Sequence, residues 1–170
     1  MKIYVASLSD YNAGILHGKW FDLDDYTDAD DLQDDIQEQI LNTSPTAKAE
    51  GVPAEEFAIH DYEDGVDGLG EYESLEDLIE LNDALYEHGD AYRAYIDNVG
   101  RNGASVKDFE DKYRGHYNSK EDFAYEILVD SGDMSQVPEH LRDFIDLEAY
   151  ARYLFDDSFD WVDGYVFWSN

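Results

Sequence analysis

Hydrophobic and polar positions alternate near the N-terminus, and the alternation sets the first elements. Ile3 to Leu8 and Leu16 to Leu23 read as two strands, joined by the turn-rich run Ser9-Asp10-Tyr11-Asn12-Ala13-Gly14. The period then changes. Leu32, Ile36 and Ile40 recur every four residues, which predicts a helix with one thin apolar stripe. Thr27, with Asp30 three residues on, has the form of an acidic capping box at its start. Asn42 to Pro53 is polar and is expected to be a loop. Phe57-Ala58-Ile59 predicts a third strand, which leaves through His60-Asp61-Tyr62-Glu63 toward the glycines Gly65, Gly68 and Gly70.

Beyond these glycines the helical period dominates. Ser74 caps a stripe of Leu75, Leu78, Ile79, Asn82 and Leu85, and Gly89-Asp90 breaks it. Tyr92, Tyr95, Ile96 and Val99 mark a short helix that stops at Gly100. Ser105 and Ser119 each open a further helix, the first with Val106, Phe109 and Tyr113, the second with Phe123, Ile127 and Leu128. After Pro138, Leu141, Phe144 and Ile145 lead into the stripe Leu147, Tyr150, Ala151, Leu154 and Phe155. Phe159 to Val162 and Tyr165 to Trp168 flank Asp163-Gly164, the signature of a two-residue hairpin. Segregated strands and helices predict an α+β fold of short antiparallel sheets and short helices. We expect three small subdomains: an α+β segment 1–61, a central helical segment 62–103 and an α+β segment 104–170.

Charge changes this ordinary picture. The chain holds 42 Asp and Glu against 11 Lys and Arg, a formal net charge of -31. Disordered acidic chains lack large apolar side chains, but here 43% of residues are hydrophobic and 15% aromatic, so the chain is expected to fold. The acids are also uneven. Residues 20–92 contain 24 acids and one base, Lys48, whereas residues 93–170 contain 17 acids and eight bases. Halophilic adaptation would spread them more evenly. Such a surface repels nucleic acid and anionic membranes, so neither is an expected direct partner, and a basic protein surface is.

Several chemistries find no support. Without cysteine there is no disulfide, thiolate site or Cys nucleophile. The five histidines are scattered, with no pair at zinc-ligand spacing. Two acidic stretches come near the pattern of a calcium loop and miss it. The run from Asp22 lacks the acid at position 5 and the glycine at position 6, and the run from Glu63 has the glycine at position 6, Gly68, but puts Gly65 at position 3 and Ser74 where the bidentate Glu belongs. No P-loop, Rossmann or nucleophile-elbow pattern occurs. Carboxylate pairs are everywhere and so specify no acid–base couple. No cofactor, metal or enzymatic activity is expected, and no apolar run reaches the roughly 20 residues of a membrane span. A cytoplasmic protein is expected.

A charge run is most simply a solvated face. Holding 73 consecutive residues nearly free of bases nonetheless costs stability through self-repulsion, which calls for a function. Duplex DNA carries one charge per about 1.7 Å of axis. Carboxylates four apart on a helix lie about 6 Å apart along its axis and can present to Lys and Arg what phosphates present. The candidate DNA-like surface comprises Asp22, Asp24, Asp25, Asp28, Asp30, Asp31, Asp34, Asp35 and Glu38, then Glu73, Glu76, Asp77, Glu80, Asp83 and Glu87. Asp24–Asp28, Asp30–Asp34, Asp31–Asp35, Asp34–Glu38, Glu76–Glu80 and Asp83–Glu87 have the four-residue spacing, and Glu73–Glu76 and Glu80–Asp83 the three-residue one. Composition alone leaves open an acidic chaperone or scaffold for another basic DNA-binding protein, or a calcium-dependent enzyme.

Four segments carry a resemblance. They are Ile3 to Gly14 with Leu16-His17-Gly18-Lys19-Trp20, then Glu55 to Glu63, then Glu121-Asp122-Phe123-Ala124, and then Phe144 to Arg152. Together they resemble the ArdA family of antirestriction proteins over almost the whole chain. Where that family commonly has Tyr-Ile-Asp-Tyr and Ala-Arg-Asp, this chain has Phe144-Ile145-Asp146-Leu147 and Ala151-Arg152-Tyr153. The resemblance implies a protein of plasmids and conjugative transposons that protects incoming DNA by occupying the DNA-binding site of type I restriction-modification enzymes, at their methyltransferase core. It implies an elongated three-domain chain that forms a homodimer through its C-terminal part. It also implies an antirestriction motif falling at Glu126 to His140, in which Glu126, Ile127, Leu128, Val129 and Asp130 are the candidate motif or dimer residues.

Overall fold

The computed structural model describes residues 1–169. It is an α+β fold with two three-stranded antiparallel sheets, as the segregated periodicities predict. The chain divides into two compact units, Met1–Glu87 and a second that begins at His88.

In the first unit β1 (Lys2–Ser7) lies between β2 (Gly18–Asp22) and β3 (Phe57–Glu63). Alternation sends Ile3 and Val5 to the buried side of β1, where they meet Phe21, Leu23 and Ile59. Helix α2 (Ala29–Ile36) adds Leu32 and Ile36, and α4 (Leu75–His88) adds Leu75, Leu78 and Ile79 to the same core.

Two segments expected to be irregular are helical. The turn after β1 is a short helix, α1 (Leu8–Asn12), whose Ser7 cap accepts from the Asp10 N–H at 3.4 Å. The polar stretch after residue 42 contains α3 (Pro45–Glu50). Its sequence has no apolar stripe, so periodicity misses it. Its end signals are nevertheless present: Ser44 accepts from the Ala47 N–H, Pro45 opens the first turn, and Gly51 closes it in the left-handed region. The cap of α2 is Asp28, not Thr27, and it accepts from the Asp31 N–H at 2.9 Å. After α2 the helix widens into a π turn, Gln37–Leu41, closed by the Asn42 N–H on the Gln37 carbonyl. The extra residue in that turn lets both Ile40 and Leu41 point inward.

The second unit comprises α5 (Asp90–Val99), α6 (Val106–Lys112), β4 (Tyr113–His116), α7 (Lys120–Asp130), α8 (Asp133–Gln136), α9 (Glu139–Arg142), α10 (Leu147–Asp157), β5 (Phe159–Val162) and β6 (Tyr165–Trp168). Ser105 and Ser119 cap α6 and α7 as expected. The Asp163-Gly164 hairpin also forms, with φ of 49° and 93° at the two turn residues. Tyr113 is not on the helix its spacing suggests but begins β4, where its ring stacks on Phe109 at 5.1 Å. Leu141 and Phe144 do not continue the α10 stripe inward, since Phe144 is 81% exposed. Phe123, Ala151, Leu154, Phe159 and Val166 form one core. Tyr92, Tyr95, Phe109, Tyr113 and Phe167 form an aromatic cluster beside the sheet.

Candidate functional site

The first acidic stretch is organised by the burial of Leu32, Ile36 and Ile40. Turning these three inward leaves Asp30, Asp31, Asp34 and Glu38 exposed on the other side of the α2 and π-turn helix. Asp30 and Asp31 lie in the first turn, where the helix dipole favours negative charge. No basic residue occupies the last turn. Asp35 is half-buried and accepts the Tyr26 hydroxyl at 2.8 Å. Burial, and then that carboxylate, push the Tyr26 hydroxyl well above its ordinary value.

Asp22, Asp24 and Asp25 lie in and beside a 3-10 turn, Leu23–Asp25, after which Tyr26 is extended. Asp24 and Asp28 are therefore not on one helix, and the helical spacing expected for that pair does not occur. Asp24 is instead held by Asn82. The buried Asn82 donates to the Asp24 carboxylate at 3.0 Å and accepts from the Met1 amino group at 2.8 Å. A polar residue within the α4 stripe thus has a partner for both its amide nitrogen and its oxygen, as burial requires.

On α4 the buried face leaves Glu76, Asp77, Glu80, Asp83 and Glu87 exposed. Ser74 caps the helix and also donates to Glu76 at 2.8 Å. The Glu76 backbone N–H, and then this hydroxyl, hold the Glu76 carboxyl below its usual range. Glu73 lies before the helix and accepts the Gly70 N–H, so the pair Glu73–Glu76 is not helical either. Of the fifteen expected carboxylates, twelve are exposed, three are half-buried (Asp22, Asp35 and Glu73), and none is in the core. The three lysines of this unit are engaged elsewhere. Lys2 binds Glu63, Lys19 binds Gln39, and Lys48 donates to the Thr43 carbonyl.

One acid lies apart from this surface, and charge reasoning passes over it. Asp10 is fully buried. Its Oδ1 accepts the Thr46 N–H at 2.8 Å, which ties α1 to the first turn of α3. Burial raises the Asp10 carboxyl, but hydrogen bonding from Ser44, Thr46 and Ser7 outweighs it and holds the group well below the usual carboxylate range. The sequence signal was a single acid between two short apolar runs.

The motif residues Glu126, Ile127, Leu128, Val129 and Asp130 occupy the last turns of α7. Ile127 and Leu128 are half-buried, and Glu126, Val129 and Asp130 are exposed. Tyr117 donates to Glu126 at 2.8 Å. Burial, with this bond and the Glu126 charge, pushes the Tyr117 hydroxyl up to about 12. Among the described residues no group of three or more His, Asp or Glu could hold a metal ion. Among the described residues no helix is long and apolar enough to cross a membrane.

Residues 3–167 match the family described as antirestriction protein (ArdA). The chain belongs to the ArdA family. Comparison with curated proteins returned no match. The match spans both units of this ArdA protein, so the acidic first unit and the better balanced second one are parts of a single antirestriction protein.

Proposed function

We propose that this ArdA protein is a mimic of duplex DNA that binds type I restriction-modification enzymes at the DNA-binding site of their methyltransferase core and so blocks restriction. The observation that carries the reading is the placement of charge in the first unit. Its 24 acids face three lysines, and all fifteen candidate carboxylates lie outside the core. Phosphate contacts supply much of a DNA enzyme's affinity without reading sequence, so carboxylates can replace them without any base code.

The second unit supports a homodimer in the same proposal. Leu141, Phe144 and Tyr153 are exposed apolar side chains there, and Glu126 to Asp130 lie in this unit. Two copies would bring about 60 negative charges, the charge of about 30 base pairs. The three-part division at residues 61 and 103 and action in the cytoplasm belong to this reading too.

The test is a restriction assay with purified protein and a type I enzyme, paired with displacement of labelled duplex from the methyltransferase core. Polyglutamate at equal charge serves as the control for a mere polyanion. We expect cleavage to stop and duplex to be displaced at protein concentrations where polyglutamate does neither. Unchanged cleavage and DNA binding at saturating protein would refute the reading. Recovery of only small basic proteins in a pull-down would favour an acidic chaperone instead.

A further inference from the structure

The outward face of the first sheet carries a feature that a lattice of carboxylates does not explain. Directly opposed residues of an antiparallel sheet share a face. Lys2, Asp22 and Glu63 therefore form one row across the three strands, and Tyr4, Trp20 and Asp61 form the next. The other face holds Ile3, Val5 and Phe21 and is buried. On the outward face the Tyr4 and Trp20 rings meet edge-on, with centroids 5.4 Å apart. Gly18 completes the arrangement. A Cβ there would stand 2.8 Å from the Tyr4 ring and 2.6 Å from the Val5 carbonyl, so the lack of a side chain is what lets the ring lie where it does.

Cross-strand aromatic pairs stabilise sheets, and this pair does so. Yet Trp20 remains 37% exposed, with Asp22 two residues along β2 on the same face and Asp61 beyond Tyr4 on β3. Lys2 is bound to Glu63 at 3.5 Å, which offsets one carboxylate of the set. Asp22 and Asp61 each accept one backbone N–H, from Asp24 and Tyr62 respectively, through a single oxygen. Among the described residues no hydrogen bond reaches their second oxygens.

We propose that this face is a docking site for an arginine side chain of the basic partner, with the guanidinium over the Trp20 ring and its N–H groups directed to Asp22, while Asp61 and Glu63 on β3 add their charge to the attraction. Charge complementarity selects a cation, and the ring selects which one. A planar, weakly hydrated guanidinium stacks on an aromatic and forks to carboxylates, whereas an ammonium is a compact, strongly hydrated point charge. Helix-borne carboxylates elsewhere on this unit attract lysine and arginine alike, so this face would add discrimination to their attraction. The inference rests on the reading of the protein as a mimic that binds a basic enzyme.

The test uses the full chain with hexa-arginine and hexa-lysine peptides, followed by titration calorimetry. Trp20→Leu keeps the net charge and an apolar side chain but removes the ring. Its affinity for hexa-arginine should fall about two- to fivefold, with that for hexa-lysine nearly unchanged and Trp20→Phe intermediate. Thermal unfolding confirms that each variant is folded at the temperature of measurement. Wild-type affinity of folded Trp20→Leu for both peptides would overturn the inference. Lys2→Gln gives a route that leaves the aromatic pair untouched. It frees Glu63 and should tighten hexa-arginine binding more than Lys48→Gln, which removes the same charge from α3; equal effects would overturn the inference as well. A wild-type protein that cannot displace duplex from a type I methyltransferase core would refute the functional reading while leaving the peptide result standing, so the two failures are distinguishable.

Discussion

Asp10 shows at the scale of one residue how an acid in this chain can serve the fold instead of the surface. It is buried, its Oδ1 holds the first turn of α3, and its carboxyl titrates below its ordinary value of 3.8. A group whose pKa is depressed by folding adds stability that is fully present above the unfolded value and is lost as pH falls toward the folded one. Asp10→Asn keeps the size and an acceptor for the Thr46 N–H but loses the charge. At pH 7 the variant should be less stable than wild type by about 2 kcal/mol, the scale of a hydrogen bond to a charged group. Between pH 7 and pH 3 wild type should lose about 1 kcal/mol of that advantage, because pH 3 lies below 3.8 and Asp10 pays to stay ionised. Urea unfolding of both proteins at the two pH values measures the gap. A gap of constant size would mean that the Asp10 charge contributes nothing. The sequence placed Asp10 in a turn, since burial of its carboxylate depends on the Thr46 N–H reaching it from 36 residues away, which no local pattern encodes.

At the scale of elements, legibility followed periodicity and end signals. Leu32, Ile36 and Ile40 disclosed α2, and Ser74, Ser105 and Ser119 marked three helix starts, because each signal is local. The acidic surface was legible for the same reason: the buried stripe names its opposite face. The α3 helix and the path of Phe144 were not legible, because the first has no apolar stripe and the second depends on packing that no local pattern encodes. Dipole placement divides the acids of α2. Asp31 lies in the favourable first turn, whereas Asp34 and Glu38 follow toward the carboxyl end with no compensating base. Asp34→Asn with Glu38→Gln should therefore raise stability by about 0.5–1 kcal/mol at low salt, while Asp31→Asn lowers it. Both changes should weaken binding to the restriction enzyme gradually, since each carboxylate is one of many. Thermal unfolding and binding measured on the same samples would show stability and affinity moving in opposite directions for the double variant. If its affinity rose with its stability, the acids of α2 would not be part of the binding surface.

The whole molecule carries this opposition as a property of its net charge. The first unit has 24 acids and three bases, the second 18 acids and eight bases, so self-repulsion is concentrated in the first. Salt screens repulsion within the protein and attraction to a basic partner by the same physics, with a Debye length falling from about 30 Å at 0.01 M to about 3 Å at 1 M. Raising sodium chloride from 0.01 M to 0.5 M should therefore stabilise the protein and weaken its hold on the enzyme. The unfolding midpoint should rise by several degrees, roughly 1–2 kcal/mol for a chain of this size. Affinity for the methyltransferase core should fall over the same range, about tenfold or more if many carboxylates meet Lys and Arg. Stabilisation should be centred on the first unit, which hydrogen exchange can resolve by following amides of β1, α2 and α4 against those of α7 and α10. Equal protection in both units would mean that the charge difference between them carries no energetic consequence. Salt-independent affinity would mean that the carboxylates are not what the enzyme grips.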